Sequence, residues 1–217
     1  FRSGVTSTAA CTLDDNNCYE DASCATSSCS GNDCIATCDF SVWFIAEPTD
    51  TGSTWAAQHW VAWIKAIDSQ SASSSATNTA QTIEMKTLTA LDVTASIAYG
   101  TLAPGQTIDP LNKLAIATTT GNEAIDANIS GANMCTDYPG CTGATIAIGK
   151  QRYATSSVAY ASGYVASSTA QFLEFITGKP TAHPSNQAQN TYWGIQIPTS
   201  QAVGSYTGQN TFTAVAD

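Results

Sequence analysis

Eight cysteines constrain this chain more than any other feature, and six of them, Cys11, Cys18, Cys24, Cys29, Cys34 and Cys38, crowd into one stretch near the start. The residues between them are mostly Ser, Asp, Asn, Ala and Thr, with hardly a large hydrophobic group. Such a segment cannot hold itself together by burying apolar surface, so covalent staples in an oxidising compartment are the expected solution. The remaining pair, Cys135 and Cys141, flank Thr136-Asp137-Tyr138-Pro139-Gly140, a turn sequence, and are expected to close a local loop. The other six leave many connectivities open; four bridges in all are expected. Zinc is the competing reading of Cys29, Cys34 and Cys38. The paired motif of a zinc ribbon is missing, however, and neither His59 nor His183 lies within the cluster. The acidic run at Asp14, Asp15, Glu20 and Asp21 lacks the alternating ligand spacing of an EF-hand and reads as a solvated loop. No metal or cofactor is expected.

The 217 residues suffice for one large sandwich or two of roughly 90–130 residues each. Hydrophobic residues make up 43%, too many for a disordered chain, while charged residues are only 11%. A surface of hydroxyls, amides and small apolar groups offers little charge repulsion against association, which suits a protein that packs against copies of itself. The net charge is −10 with only 7 Lys and Arg. Without a basic cluster to displace counterions, nucleic acid is excluded as a partner, and so is an anionic membrane surface. No apolar run approaches the roughly 20 residues that span a bilayer, so no membrane insertion is expected. Starting at Phe1, the chain reads as an extracellular, cell-surface product whose signal peptide has been removed, or as a fragment.

Period-two alternation organises the rest. In residues 1–10, Phe1, Ser3, Val5, Ser7 and Ala9 share one face of a weakly alternating arm. Residues 38–46 (CDFSVWFIA) are aromatic and β-branched, stop at Glu47-Pro48, and predict a strand. Residues 55–68 (WAAQHWVAWIKAID) match helical spacing through Trp55, His59, Trp60 and Trp63, yet residues 60–67 alternate, and a strand is favoured. Residues 70–78 predict a polar loop and residues 82–91 another alternating strand. Strands are then expected at 92–99, 114–118, 124–129, 145–148, 157–160, 170–176, 191–197 and 205–215. Ala103-Pro104-Gly105 marks a turn, and Thr119-Thr120-Gly121-Asn122 a hairpin. Short strands between frequent turns predict an all-β antiparallel sandwich. The expected organisation is an arm (1–10), a cysteine-rich loop with a first sandwich (11–90), and a second sandwich (91–217).

Three stretches, residues 96–105 (SIAYGTLAPG), 118–131 (TTTGNEAIDANISG) and 192–212 (YWGIQIPTSQAVGSYTGQNTF), resemble immunoglobulin-like modules of bacterial and archaeal envelope and filament (pilin-like) proteins. That resemblance covers about residues 90–217 and implies a surface, filament or adhesive role with no catalytic residues. In such folds a Gly-x-Tyr turn introduces the penultimate strand, its hydroxyl bonding back to the backbone. Here Gly204-Ser205-Tyr206 introduces the last expected strand, so by this analogy the sandwich lacks its closing strand. A strand donated by a neighbouring copy would complete it, with main-chain hydrogen bonds giving affinity, and the arm at Phe1, Ser3, Val5, Ser7 and Ala9 is the candidate donor. Head-to-tail donation does not close on itself and builds a filament. The alternatives are an arm that pairs within its own sheet as the first strand and an arm that is a disordered terminus.

No enzyme is expected. A Gly-x-Ser-x-Gly elbow is missing, His59 sits among tryptophans and reads as structural, and His183 precedes Pro184 in a loop. Glu84, Glu123 and Glu174 are isolated in sequence, although folding can still bring carboxylates together. The competing function is a secreted carbohydrate-binding or adhesin module, for which Trp43, Trp55, Trp60, Trp63 and Trp193 are the candidate glycan platforms; Trp193, in an alternating strand, is also a core candidate. Asn128-Ile129-Ser130 is a sequon, placed at a strand end by this reading.

Overall fold

The structure is a computed structural model and describes residues 1–5, 11–20, 24–30, 33–78, 80 and 82–217. It divides into two compact units, one of Phe1–Leu88 with Pro180–Asn186, the other of Thr89–Lys179 with Gln187–Asp217. Fourteen strands and two short 3-10 turns account for the regular structure among the described residues, and every strand pairing is antiparallel. No helix among those residues is long and apolar enough to cross a membrane.

In the first unit, β1 (Cys24–Ser30) and β2 (Asp33–Cys38) form a hairpin with Cys24 opposite Cys38. Nearly every residue of it is exposed, including its one large apolar side chain, Ile35. A two-stranded ribbon without a buried face is marginal in water. Two bridges across it, Cys24–Cys38 and Cys29–Cys34, supply what packing does not. The cysteine-rich segment, expected to be a loop, is thus partly a stapled hairpin. A second exposed hairpin joins β3 (Trp63–Ile67) to β4 (Ser73–Thr77). Its turn is closed by the Asp68 carboxylate, which accepts from the backbone N–H groups of Gln70 (2.9 Å) and Ala72 (2.8 Å). The polar loop expected over residues 70–78 is therefore half strand, because serines pair readily when the turn chemistry holds the register.

The strand expected over residues 38–46 stops at Cys38. Residues beyond it bend into a turn, with Ala46 N–H donating to Trp43 O at 3.0 Å. The cause is Asn16, a buried side chain whose Nδ2 donates to Ile45 O (2.7 Å) and Pro180 O (3.1 Å). That holds Ile45 and Ala46 off any sheet, and both are fully buried; Cys18, Trp60 and Val61 are also buried in this unit. Of the strand expected over residues 82–91, the bridge of Trp60 to Ile83 and the terminal Leu91, where a later strand begins, are what forms.

In the second unit, the strands are β5 (Leu91–Val93), β6 (Lys113–Thr119), β7 (Ile125–Gly131), β8 (Met134–Cys135), β9 (Thr145–Ile146), β10 (Gln151–Ala154), β11 (Tyr164–Val165), β12 (Gln171–Leu173), β13 (Ala188–Ile195) and β14 (Asn210–Ala216). One sheet runs β11-β10-β13-β6-β5, another β12-β7-β14, and β8-β9 form a short ribbon. The two larger sheets share one core, in which Trp193, Tyr153, Ile125, Ile129, Leu173 and Phe175 pack with Ala115, Ala117 and Ala127. The hairpin expected at 119–122 is instead a crossing between sheets, since β6 pairs with β5 and β13 while β7 pairs with β12 and β14. Buried Thr119 and Asn122 lie at that crossing, so the Thr-Gly-Asn sequence serves the core instead of an exposed turn. Pro104-Gly105 does form its turn: Gln106 N–H donates to Ala103 O at 3.0 Å, and Gly105 takes φ +83°, as a type II turn requires. Residues 157–160 are not a strand; a 3-10 turn at Tyr160–Ser162 follows, its Tyr160 N–H capped by Asp109 Oδ1 at 3.0 Å.

Candidate functional site

The second unit is open along one side. β14 has a single neighbour, β7, so half of its backbone N–H and C=O groups face outward from the sheet. β5 is the corresponding edge of the larger sheet, and it ends early. Thr94 Oγ1 accepts from Ile116 N–H at 3.0 Å, replacing the next ladder bond, and the chain then leaves the sheet. The strand expected over residues 92–99 therefore stops at Val93. Residues 95–102 form no backbone–backbone hydrogen bond among the described residues.

Between these two edges lies a trough of about 490 Å³. Leu91, residues 93–97 and Tyr99 line one bank, residues 208–212 the other, and Ala115, Met134 and Gln151 complete the lining. Leu91, Val93, Ile97, Tyr99 and Phe212 pack on the core yet stay only partly buried. None of the lining residues carries a charge. Gln151, 2% exposed, anchors the polar part: its Oε1 accepts from the Tyr99 hydroxyl (2.8 Å) and from Asn210 Nδ2 (3.0 Å). Burial raises the Tyr99 pKa, keeping that hydroxyl a neutral donor. A Cβ on Gly131 would collide with Asn210 Oδ1 on this bank.

A second cavity of about 510 Å³ adjoins it and shares Ile97, Tyr99 and Met134. Tyr206 borders it, its hydroxyl donating to Ala202 O and accepting from Gln201 Nε2, both at 2.7 Å. The strand after Tyr206 begins at Asn210, because residue 207 pairs with Cys135 and Gly208 passes tightly against Met134.

The arm residues named by the sequence lie in the first unit. Val61 N–H donates to Phe1 O and Ser3 N–H to His59 O, both at 2.9 Å, with Arg2 bridging Trp60 between them. Arg2, 6% exposed, stacks its guanidinium 3.7 Å from the Trp55 ring centre and donates from Nε to Asn17 Oδ1 at 2.8 Å. A further bond joins its Nη1 to Gln58 Oε1. Val5 N–H returns to Arg2 O at 3.1 Å, while Ser7 and Ala9 lie outside the described residues.

All eight cysteines are paired: Cys11–Cys18, Cys24–Cys38, Cys29–Cys34 and Cys135–Cys141. Within the last loop Asp137 accepts from the Thr142 hydroxyl (2.6 Å) and from the Thr142 and Gly143 N–H groups, bonds that hold its carboxyl below the usual range. Asp14 serves its loop the same way, taking N–H bonds from Asn16 (2.7 Å) and Asn17 (2.9 Å). Tyr19 donates to Asp15 O and accepts from Trp43 N–H, and burial pushes its pKa up to about 12.

Trp193 is fully buried and Trp60 nearly so, whereas Trp43 is 41% exposed and lies flat on His183, ring centres 3.7 Å apart. Asn128 sits in the middle of β7, opposite Phe172 and Thr213, rather than at the strand end where the sequon was expected. Folding does gather carboxylates: Glu174 meets Asp126 and Asp217, with one oxygen of each within 4.8 Å of the others. Asp126 Oδ1 is occupied by Phe175 N–H at 2.7 Å. Glu84 instead pairs with Lys86 at the surface (2.9 Å), and Glu123 accepts from the Thr89 hydroxyl. Sequence reasoning missed the Arg2–Trp55 stack and the carboxylate trio, since neither spacing carries a signal. No protein family, curated protein or solved structure matches this chain.

Proposed function

We propose that this chain is a structural subunit of an extracellular filament or surface lattice, built from immunoglobulin-like sandwich modules and joined to copies of itself by strand addition. The observation that carries this reading is the free outer edge of β14 beside a partly buried apolar trough. Natural edge strands are usually shortened, charged or covered, because an open one templates association. β14 is seven residues long and carries no charged side chain, so none of those protections applies. Trp193 buried between antiparallel sheets and the Tyr206 hydroxyl bonded back to Ala202 support the immunoglobulin-like comparison. Four bridges fit an oxidising environment outside the cytosol.

The arm face of Phe1, Ser3, Val5, Ser7 and Ala9 is the proposed donor. To be donated it must leave its own bonds with His59 and Val61 and withdraw Arg2 from Trp55, so self-pairing competes with exchange. Negative-stain electron microscopy of the intact chain beside one lacking residues 1–10 tests this. Filaments from the intact chain and none from the truncated one are expected; monomers from both sink the polymer reading. A second reading, a glycan-binding module, draws on exposed Phe40, Val42 and Trp43. One face of Trp43 is already taken by His183, which leaves the other for a sugar ring. Glycan-array binding that disappears in Trp43→Ala would favour it.

A further inference from the structure

We infer that the trough between residues 95–99 and β14 is a strand-acceptor slot that takes an uncharged, extended segment of a second copy of this chain. The inference rests on the subunit reading above and names its acceptor site. Ordinary edge addition would use β14 alone. Here both banks offer backbone: the free edge of β14 borders the trough at residues 210–212, and residues 95–99 on the opposite bank have no backbone partner among the described residues. A strand lying between them bonds on both sides, and only extended backbone satisfies both rows at once. Its inward side chains would meet Leu91, Val93, Ile97 and Phe212, completing the burial those residues lack.

Charge selects the occupant. The slot has no charged lining group, so a Lys, Arg, Asp or Glu drawn into it would be desolvated without a partner. Most foreign polypeptides carry such residues every few positions. This chain is only 11% charged and holds long uncharged runs, the stretch 3–10 (SGVTSTAA) among them. A second copy is therefore the matching partner.

Two variants place a charge in the slot without touching the core: Ser96→Arg and Thr211→Arg, both at exposed positions on opposite banks. Ser74→Arg, in the exposed hairpin of the first unit, is the control. Sedimentation of the intact chain should show assembly reduced about tenfold or more in both slot variants, with the control and the thermal melts unchanged. Hydrogen exchange on the assembled protein should show the amides of residues 95–99 slowed. Slot variants that assemble like the parent, or amides 95–99 that exchange as in the monomer, overturn the slot and leave the subunit reading standing. If the intact chain never assembles, the subunit reading falls. The slot is then judged by titrating a peptide of residues 3–10 into the monomer: amide shifts confined to residues 95–99 and 208–212 uphold it, and their absence overturns it.

Discussion

Trp193 sets the size of its neighbours. Its ring stacks on Tyr153 at 4.9 Å and lies 6.0 Å from Phe212, so the strands around it contribute alanines, Ala115, Ala117 and Ala127. Its Nε1 donates to Thr191 Oγ1 (3.0 Å), whose hydroxyl donates in turn to Ala115 O (2.8 Å), leaving no indole hydrogen unpaired. The next residue, Gly194, is held as tightly. A Cβ there would fall 2.6 Å from Leu111 Cδ2 and 2.8 Å from Ile108 O, and the carbonyl belongs to backbone that cannot step aside. Gly194→Ala is expected to destabilise the second unit by about 1–3 kcal/mol through overpacking, measured by urea unfolding followed through hydrogen exchange of the β6 and β13 amides. An unchanged midpoint would mean that the 108–111 segment yields freely. Glycine in a strand usually weakens it, so a requirement for Gly194 comes from space alone.

Hairpins tell the opposite story, because β1–β2 has almost nothing to pack. Its stability resides in Cys24–Cys38 and Cys29–Cys34, and removing bridges from small secreted folds costs about 2–5 kcal/mol. With all four of these cysteines changed to Ser, the amides of β1 and β2 should exchange at nearly unfolded rates while those of β6, β7 and β13 stay protected. Protection surviving in β1–β2 would show that something other than sulfur holds the ribbon. The same contrast explains what was legible beforehand. Strands at 114–118, 124–129 and 191–197 are readable because short apolar and β-branched runs there end at turn residues, and β6, β7 and β13 lie there. In β6 the faces were not readable: alanines point inward while Leu114 and Ile116 stay at the surface. β1 and β4 gave no apolar signal because they bury nothing. The aromatic run at 40–46 misleads because a turn, which Asn16 dictates from far upstream, buries Ile45 and Ala46 and leaves Phe40, Val42 and Trp43 exposed. The trough was only half legible. Tyr206 hinted at a missing strand, but the departure of residues 95–102 from the sheet follows from a single threonine side chain at position 94.

For the chain taken whole, charge decides how copies meet. Each copy carries −10, so two copies repel at long range before any strand is exchanged. The proposed slot and β14 are uncharged, which means no ion pair between copies offsets that repulsion. Salt should therefore help: the screening length shortens from about 30 Å at 0.01 M to about 8 Å at 0.15 M ionic strength. Assembly followed by light scattering is expected to increase over that range and then level off, because hydrogen bonds and apolar contacts inside a dry slot are hardly screened. Were copies joined through complementary charged surfaces, added salt would weaken assembly instead, as it does for contacts steered by opposite charges. A fall in scattering with ionic strength would thus contradict the uncharged slot as the joint, while the Ser96→Arg variant offers a separate check. Its added positive charge lowers the repulsion between subunits yet obstructs the slot, so slower assembly than the parent at low salt can come only from the slot.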